Sequence, residues 1–267
     1  MNKGTSMKIA ITRPKEHLEA SVELLKSKGF EVVASPMIGV SVRDDPGFEP
    51  FLSRVIDRRC DFVIFTSVNG VKFMLEKVDE ARKQDFISAL NDPAIKVVSM
   101  GPRTSEGLLS VGINPDMMPA TFTSSGLLDL LTPRVSGRAV EVVRSDHGSR
   151  VLIDGLKRAG AEAHEVRVYS IIRPVGEEQD NLVREVIDGK IDIITFTSAQ
   201  TVRNFFKTAE DLGLLERVRE RLNEIIVAVI GEPTAHTVED FRVKVDIMPE
   251  RALFKDMVDE ICERTKI

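Results

Sequence analysis

One stretch of this chain occurs twice, and the repetition limits the fold more than any other feature. Asp61-Phe62-Val63-Ile64-Phe65-Thr66-Ser67-Val68-Asn69 returns 131 residues later as Asp192-Ile193-Ile194-Thr195-Phe196-Thr197-Ser198-Ala199-Gln200. Each copy is a short run of β-branched and aromatic residues without alternation, the pattern of a strand buried on both faces. Each run stops at Thr-Ser and gives way to apolar residues at helical spacing: Val71, Met74 and Leu75 in one copy, Val202, Phe205 and Phe206 in the other. Ser67 and Ser198 are therefore expected at the carboxyl end of a parallel strand and at the start of a helix. Open α/β sheets take ligands at that edge, where free backbone N–H groups favour anions.

The duplication extends beyond this motif. Arg13 and Arg144, and Gly29 and Gly160, are also 131 residues apart, whereas Gly101 and Gly231, Thr104 and Thr234, and Pro119 and Pro249 are 130 apart. Two copies with one residue of slippage mean duplicated domains; a solenoid needs several repeats. A length of 267 residues also suits two domains.

Strand and helix patterns alternate throughout. Strands are expected at Lys8–Thr12, Glu31–Ala34, from Asp61, and at Lys96–Met100, Ile113–Met117, Arg138–Val143, Glu162–Val168, from Asp192, and at Ile225–Ile230 and Lys244–Met248. Helices follow from about Lys15 to Lys28, to near Arg59, twice before Leu90, after Gly101-Pro102-Arg103-Thr104, and from Ser124-Ser125 as cap through Leu131. Further helices are expected at Val151–Ala159, Glu177–Asp188, after the second Thr-Ser, after Gly231-Glu232-Pro233-Thr234, and at Leu253–Glu263. Met37–Val42 and Tyr169–Pro174 look extended. Short connections between alternating elements mean parallel sheets covered by helices.

A net charge of −5 and a pI near 5.6 exclude a nucleic-acid footprint, and Arg58-Arg59 is too short to change that. The longest apolar run, Ile225 to Ile230, is far short of a membrane span. Met1–Ser6 is polar and reads as an extension before a working start at Met7, neither signal peptide nor anchor. Cys60 and Cys262 form no CxxC or zinc pattern and are expected to be buried or half-buried free thiols. The four histidines, His17, His147, His164 and His236, lack metal spacing. These features describe a reduced, cytoplasmic protein without metal. No GxGxxG follows any strand, which excludes a dinucleotide dehydrogenase. A tandem receiver would need an aspartate where this chain has Thr-Ser. A cytoplasmic two-domain module that binds or senses a small anion stays open as an alternative to an enzyme.

Thr12-Arg13-Pro14 after the first strand, the two Phe-Thr-Ser strand ends, Gly101-x-x-Thr104 and the lone Tyr169 together resemble the uroporphyrinogen-III synthase family, over Met7 to about Arg264. The resemblance implies two flavodoxin-like α/β domains joined by two extended connectors, Met37–Val42 and Tyr169–Pro174. It divides the chain into 1–38 plus 173–267 and 39–172, where pattern alone would cut at Ser136-Gly137. It also implies an activity: cyclisation of the linear tetrapyrrole hydroxymethylbilane to uroporphyrinogen III in the cleft between the domains, with inversion of ring D and loss of water. The expected enzyme is a monomer that uses no cofactor and no metal and binds a small polycarboxylate, not nucleic acid or membrane.

The residues carried over are Tyr169 as catalytic, with Thr12, Arg13, Thr66, Ser67, Asn69, Gly101, Thr104, Arg144, Thr197, Ser198, Ala199, Gly231 and Thr234 binding substrate. Each also has a plainer reading. Ser67 and Ser198 suit helix caps, Thr104 and Thr234 helix-start packing, and Arg13 and Arg144 structural ion pairs. Hydroxyls and glycines at helix starts suit carboxylates in an acidic chain, because N–H groups and helix dipoles substitute for lysines. A neutral phenol is the compatible proton donor beside eight carboxylates. Two departures stand out. Arg150 is one residue displaced from the family's Gly-Arg turn, and Glu232, where the first copy has Pro102, is expected to point away from an anion.

Overall fold

The computed structural model describes residues 6–266. Residues 1–5, on which most of the extension reading for Met1–Ser6 falls, lie outside the described residues. In chain order the first elements are β1 (Lys8–Ile11), a 3-10 turn at Lys15–His17, α1 (Leu18–Ser27), β2 (Glu31–Ala34), β3 (Gly39–Val42), α2 (Phe48–Ile56), β4 (Phe62–Phe65), α3 (Val68–Lys77) and α4 (Glu80–Leu90). Next come β5 (Lys96–Ser99), α5 (Pro102–Ser110), α6 (Ser124–Leu131), β6 (Ala139–Ser145), α7 (Val151–Arg158) and β7 (Glu162–Ile172). The rest is α8 (Glu177–Ile187), β8 (Ile193–Phe196), α9 (Ala199–Asp211), α10 (Leu215–Leu222), β9 (Ile226–Val229), α11 (Glu232–Asp240) and α12 (Phe254–Thr265). Of these, α10 was not anticipated from the sequence.

The chain forms two compact units. One takes the chain up to Gly39 and from Ile172 onward; the other is Val40–Ile171. The first is built on the sheet β2-β1-β8-β9, and the second on β3-β7-β6-β4-β5. Each β pairing with a described register is parallel. A cut at Ser136-Gly137 would pass through the second sheet, where β4 pairs with β6 from Phe62↔Val140 to Phe65↔Val143. The stretches expected as connectors are extended, and both enter this sheet: Gly39–Val42 is a strand, and β7 continues to Ile172.

Each sheet buries both faces, as unbroken apolar strands require. In the Val40–Ile171 unit, Val63 and Phe65 face Phe51, Met74, Phe86 and Leu108, while Phe62 and Ile64 face Leu127, Leu131, Leu152 and Leu156. In the other unit, Ile194 and Phe196 pack with Val202, Phe205 and Leu182, and Ile9, Ile11 and Ile193 with Met257, Val258 and Ile261. Gly29 and Gly160 end α1 and α7 at φ 91° and 85°, left-handed positions that favour glycine.

Three sequence expectations are corrected. Ile113–Met117 and Lys244–Met248 are not strands; each makes one isolated bridge, Val98↔Met117 and Ala228↔Ile247. The reason is the same in both: the Asp116 carboxylate accepts from the Val97 N–H at 2.8 Å and the Asp246 carboxylate from the Val227 N–H at 3.2 Å. A side chain thus takes the donor that a further strand would have used. Finally, α6 is capped by Thr123, whose hydroxyl accepts from the Gly126 N–H at 3.1 Å, and not by Ser124-Ser125.

Candidate active site

The two Thr-Ser strand ends give the same local structure. Ser67 is the extended N-cap of α3, and its Oγ accepts from the Gly70 N–H at 3.0 Å. Ser198 caps α9 in the same way, accepting from the Thr201 N–H at 3.2 Å. Gly101 and Gly231 are the extended N-caps of α5 and α11. Because β4 neighbours β5 and β8 neighbours β9, each unit sets two helix N-termini side by side at one sheet edge. Thr104 and Thr234 are buried in the first turns of α5 and α11.

Beyond the caps the units differ. In the Val40–Ile171 unit, Ser67 Oγ also lies 2.9 Å from Tyr169 Oη, with either oxygen able to donate. Ser67 thus joins the cap and the phenol in one bond chain; Ser198 Oγ instead adds to its cap bond a contact with the Thr201 hydroxyl at 3.4 Å. Tyr169 is 7% exposed, and its ring stacks on Phe73 with centroids 5.6 Å apart.

A bulge aims this tyrosine. Along β7, Arg167 pairs with Arg144 but Tyr169 pairs with Ser145, so Val168 is an extra residue in the ladder. Strict alternation would send Val168 and Tyr169 to opposite faces. Instead Val166, Val168 and Tyr169 all enter the same core, with Ile171 packed against it. The sequence carries no signal for this bulge.

The expected cations are less available than the motifs suggest. Arg144 is 5% exposed and pairs with Glu165 at 3.5 Å; Glu165 also pairs with Arg167. Burial pushes the Arg144 guanidinium below its ordinary value, with Glu165 acting in the opposite direction. Arg13 is half-buried, donates to Ser21 Oγ at 2.8 Å and stands over the Phe254 ring at 4.3 Å. Burial lowers its pKa as well. Both guanidinium groups are thus engaged with side chains of their own unit. Thr12 is buried and donates to the Thr195 carbonyl at 2.9 Å, while Thr66 donates to the Val143 carbonyl at 3.1 Å. Asn69, Thr197 and Ala199 are half-buried at the same edges. Glu232 and Arg150 point into solvent, Arg150 toward Asp154 at 3.4 Å.

A groove of about 540 Å³ runs along the edge of the Val40–Ile171 unit, with Thr66, Ser67, Gly101 and Thr104 in its walls. Two further wall residues, Arg103 and Phe122, were not picked out from the sequence. Arg103 sits in the first turn of α5, inside a motif noticed for its glycine and threonine. Phe122 lies in an irregular loop where no periodicity marks it. Among the described residues no group of His, Cys, Asp and Glu is arranged to hold a metal, and no helix is long and apolar enough to cross a membrane.

The family model described as uroporphyrinogen-III synthase HemD matches residues 19–259. The chain is 30% identical, over 94% of its length and 95% of the relative, to a Methanothermobacter thermautotrophicus protein described provisionally as a uroporphyrinogen-III synthase. It is 25% identical to the uroporphyrinogen-III synthase of Chlorobaculum parvum, over 91% of this chain and 92% of that one. Its fold is similar to the crystal structure of a mutant uroporphyrinogen III synthase from Thermus thermophilus, with TM-score 0.64 at 20% identity, covering 98% and 99% of the two chains. The Helicobacter pylori uroporphyrinogen-III synthetase structure gives TM-score 0.63 at 15% identity, covering 97% and 99%. With a family model spanning nearly the whole sequence and a relative at 30% identity end to end, this chain belongs to the uroporphyrinogen-III synthase family.

Proposed function

We propose that this chain cyclises hydroxymethylbilane to uroporphyrinogen III, inverting ring D and releasing water. The single observation that carries the reading beyond family membership is the Ser67–Tyr169 contact of 2.9 Å at the N-terminus of α3. It sets the lone tyrosine of the chain behind a hydroxyl that lines the groove.

The chemistry needs one proton at one place. The C–O bond of the hydroxymethyl carbon breaks as the adjacent pyrrole nitrogen pushes electrons toward it, and the hydroxyl leaves as water once protonated. Tyr169 supplies that proton, through Ser67 Oγ or directly after a small side-chain movement. The resulting phenolate accepts from Ser67 and has the buried Arg144 cation near it. The electron-poor carbon then bonds to the ring D carbon that already carries the methylene bridge from ring C. That bridge bond breaks, leaving the bridge carbon electron-poor, and the bridge carbon re-bonds to the free α-carbon of ring D, which inverts the ring. The proton later lost from a ring carbon returns to the phenolate, so the net change is loss of water. Carboxylates are held by N–H groups at the starts of α3, α5, α9 and α11, with Ser67, Ser198, Gly101, Gly231, Thr104 and Thr234 shaping those starts. Thr12, Thr66, Asn69, Thr197 and Ala199 complete the edges, and Arg13 contributes charge from beside Phe254. The reading includes action as a monomer in the cytoplasm, supported by two free buried cysteines.

The test is incubation with enzymatically generated hydroxymethylbilane followed by isomer analysis. Type III product is expected. Formation of only the spontaneous type I isomer by folded protein would overturn the reading.

A further inference from the structure

The two units repeat the same helix-start architecture but furnish it with opposite chemistry. After Gly101 the Val40–Ile171 unit has Pro102-Arg103; after Gly231 the other unit has Glu232-Pro233. Arg103 is exposed in the wall of the groove, and no carboxylate of the described residues lies within ion-pair distance of it. Glu232 is exposed, with His236 4.0 Å away. The loops that face these glycines differ as well. A Cβ on Gly101 would meet the side chain of Phe122 at 3.3 Å, whereas a Cβ on Gly231 would meet Ala252 at 3.8 Å. Phe122 and Ala252 are 130 residues apart, the offset that relates the two glycines.

Phe122 is unusual on its own terms. It is 52% exposed, and it is held at the groove by a loop that folds tightly onto α6: the Thr123 N–H donates to the Thr121 carbonyl at 2.9 Å, and Gly126 lies directly against that carbonyl. An aromatic face kept in water beside a free guanidinium and two helix N-termini suits a flat, electron-rich ring carrying carboxylates. Its burial by such a ring recovers apolar area that folding leaves exposed. Hydroxymethylbilane distributes eight carboxylates over four pyrroles, two per ring.

We infer that Arg103 and Phe122 are specificity-determining residues that make this groove the docking site of one terminal pyrrole, Phe122 stacking on the ring and Arg103 pairing with one of its carboxylates. The inference rests on the proposed synthase activity for the identity of the ring. Because Ser67 is in the same groove and touches Tyr169, the ring docked here is the one bearing the hydroxymethyl carbon. The repeated edge in the other unit, with Ala252 and Glu232 where this groove has Phe122 and the Arg103 motif, holds its part of the substrate more weakly.

The probe is a pyrrole dicarboxylate titrated into the full chain while amide signals are followed by NMR. Signals of Ser67, Gly101 and Thr104 should saturate at a concentration at least tenfold lower than those of Ser198, Gly231 and Thr234. Arg103→Gln and Phe122→Ala should each weaken the tighter site about tenfold, the scale of one charge-assisted hydrogen bond or one stacked ring. Only Arg103→Gln should lose the salt dependence of binding. In turnover, each variant should raise KM for hydroxymethylbilane about tenfold and leave kcat within twofold. Circular dichroism and Tm of both variants should match the parent, since both side chains are exposed. Equal titration of the two sets of amides, or variants with parental affinity and KM in a protein that makes type III product, would overturn the inference and leave the synthase reading intact. Tight binding of the probe at this groove by a protein that yields only type I product would overturn the synthase reading and leave the anion-and-ring site standing.

Discussion

Tyr169→Phe separates the proposed chemistry from the fold more cleanly than any other change. Among the described residues the hydroxyl has one hydrogen-bond partner, Ser67 Oγ at 2.9 Å, and the ring's packing on Phe73 does not involve it. Phenylalanine keeps the ring, its volume and the bulge that aims it. Ser67 keeps its bond from the Gly70 N–H, so no buried polar group is orphaned. The stability cost is therefore that of one neutral hydrogen bond, about 1 kcal/mol, measurable as a small drop in the urea midpoint at constant slope. The loss in kcat should be far larger, about 10²–10⁴, the range for removal of a positioned general acid, or about 3–5 kcal/mol in the barrier. The assay is initial formation of type III isomer at saturating hydroxymethylbilane, with KM followed in parallel and expected to stay nearly unchanged. Ser67→Ala and Ser198→Ala form the internal control. Both remove a helix cap, worth about 1 kcal/mol of stability, and each should weaken substrate binding by about 1 kcal/mol; only Ser67→Ala also removes the partner of Tyr169 and should reduce kcat about tenfold further. A Tyr169→Phe variant with parental kcat, or serine variants with identical kinetics, would refute the reasoning and leave backbone N–H groups and cavity shape as the catalyst.

Other expectations follow from the rest of the molecule. Glu141 is fully buried and receives both Nε and Nη2 of Arg54 at 2.5 and 3.0 Å, so Arg54→Leu should cost about 3–5 kcal/mol in urea unfolding by leaving a buried carboxylate without its guanidinium and with His164, 3.3 Å away, as the remaining partner. Adding Glu141→Leu should recover most of that loss. Burial and the nearby Glu141 charge push the Cys60 thiol up to about 12, so in native protein at pH 8 it should stay protonated and unreactive toward a thiol reagent, reacting only after denaturation. A Cβ on Gly126 would lie 2.0 Å from the Thr121 carbonyl oxygen, so Gly126→Ala should cost about 1–3 kcal/mol as overpacking and raise KM by displacing the Phe122 loop. Exhaustive chelation should leave type III formation unchanged; activity lost on chelation and restored by one metal would contradict the expected metal-free reaction.

The parts of the fold that the sequence announced are those where one residue type has one physical use. Thr-Ser after a run of apolar and β-branched residues without alternation marked both strand ends, because a buried parallel strand here leads straight into a capped helix. Gly29 and Gly160 marked helix ends because both need positive φ. The misreadings came where a side chain replaced backbone. Asp116 and Asp246 occupy the ladder donors of β5 and β9, so apolar runs beside them stay irregular. Thr123 captured the cap of α6 from two adjacent serines. At the site, the motif residues were legible one by one, but their inequality was not. Ser67 and Ser198 are alike in sequence context, and only the bulge at Val168 gives one of them a phenol. For Arg144 the sequence left ligand contact and a structural ion pair both open, because nothing in its own segment reveals Glu165 on the neighbouring strand; the ion pair is what the structure shows.

The pairing of β1 with β8 has a consequence for synthesis on the ribosome. Lys8 N–H meets the Asp192 carboxylate across 184 residues of chain, and Ile9 and Ile11 are fully buried in the finished sheet. Everything in the Val40–Ile171 unit is contiguous and can close as soon as it leaves the exit tunnel. The opening βαβ piece has no such option. At elongation rates of about 5–20 residues per second it waits about 10–40 s for β8, with a central apolar strand paired on one side only. The nascent chain is thus most exposed to aggregation at its beginning, and slowing translation before codon 192 should lengthen that exposure while speeding it should shorten it.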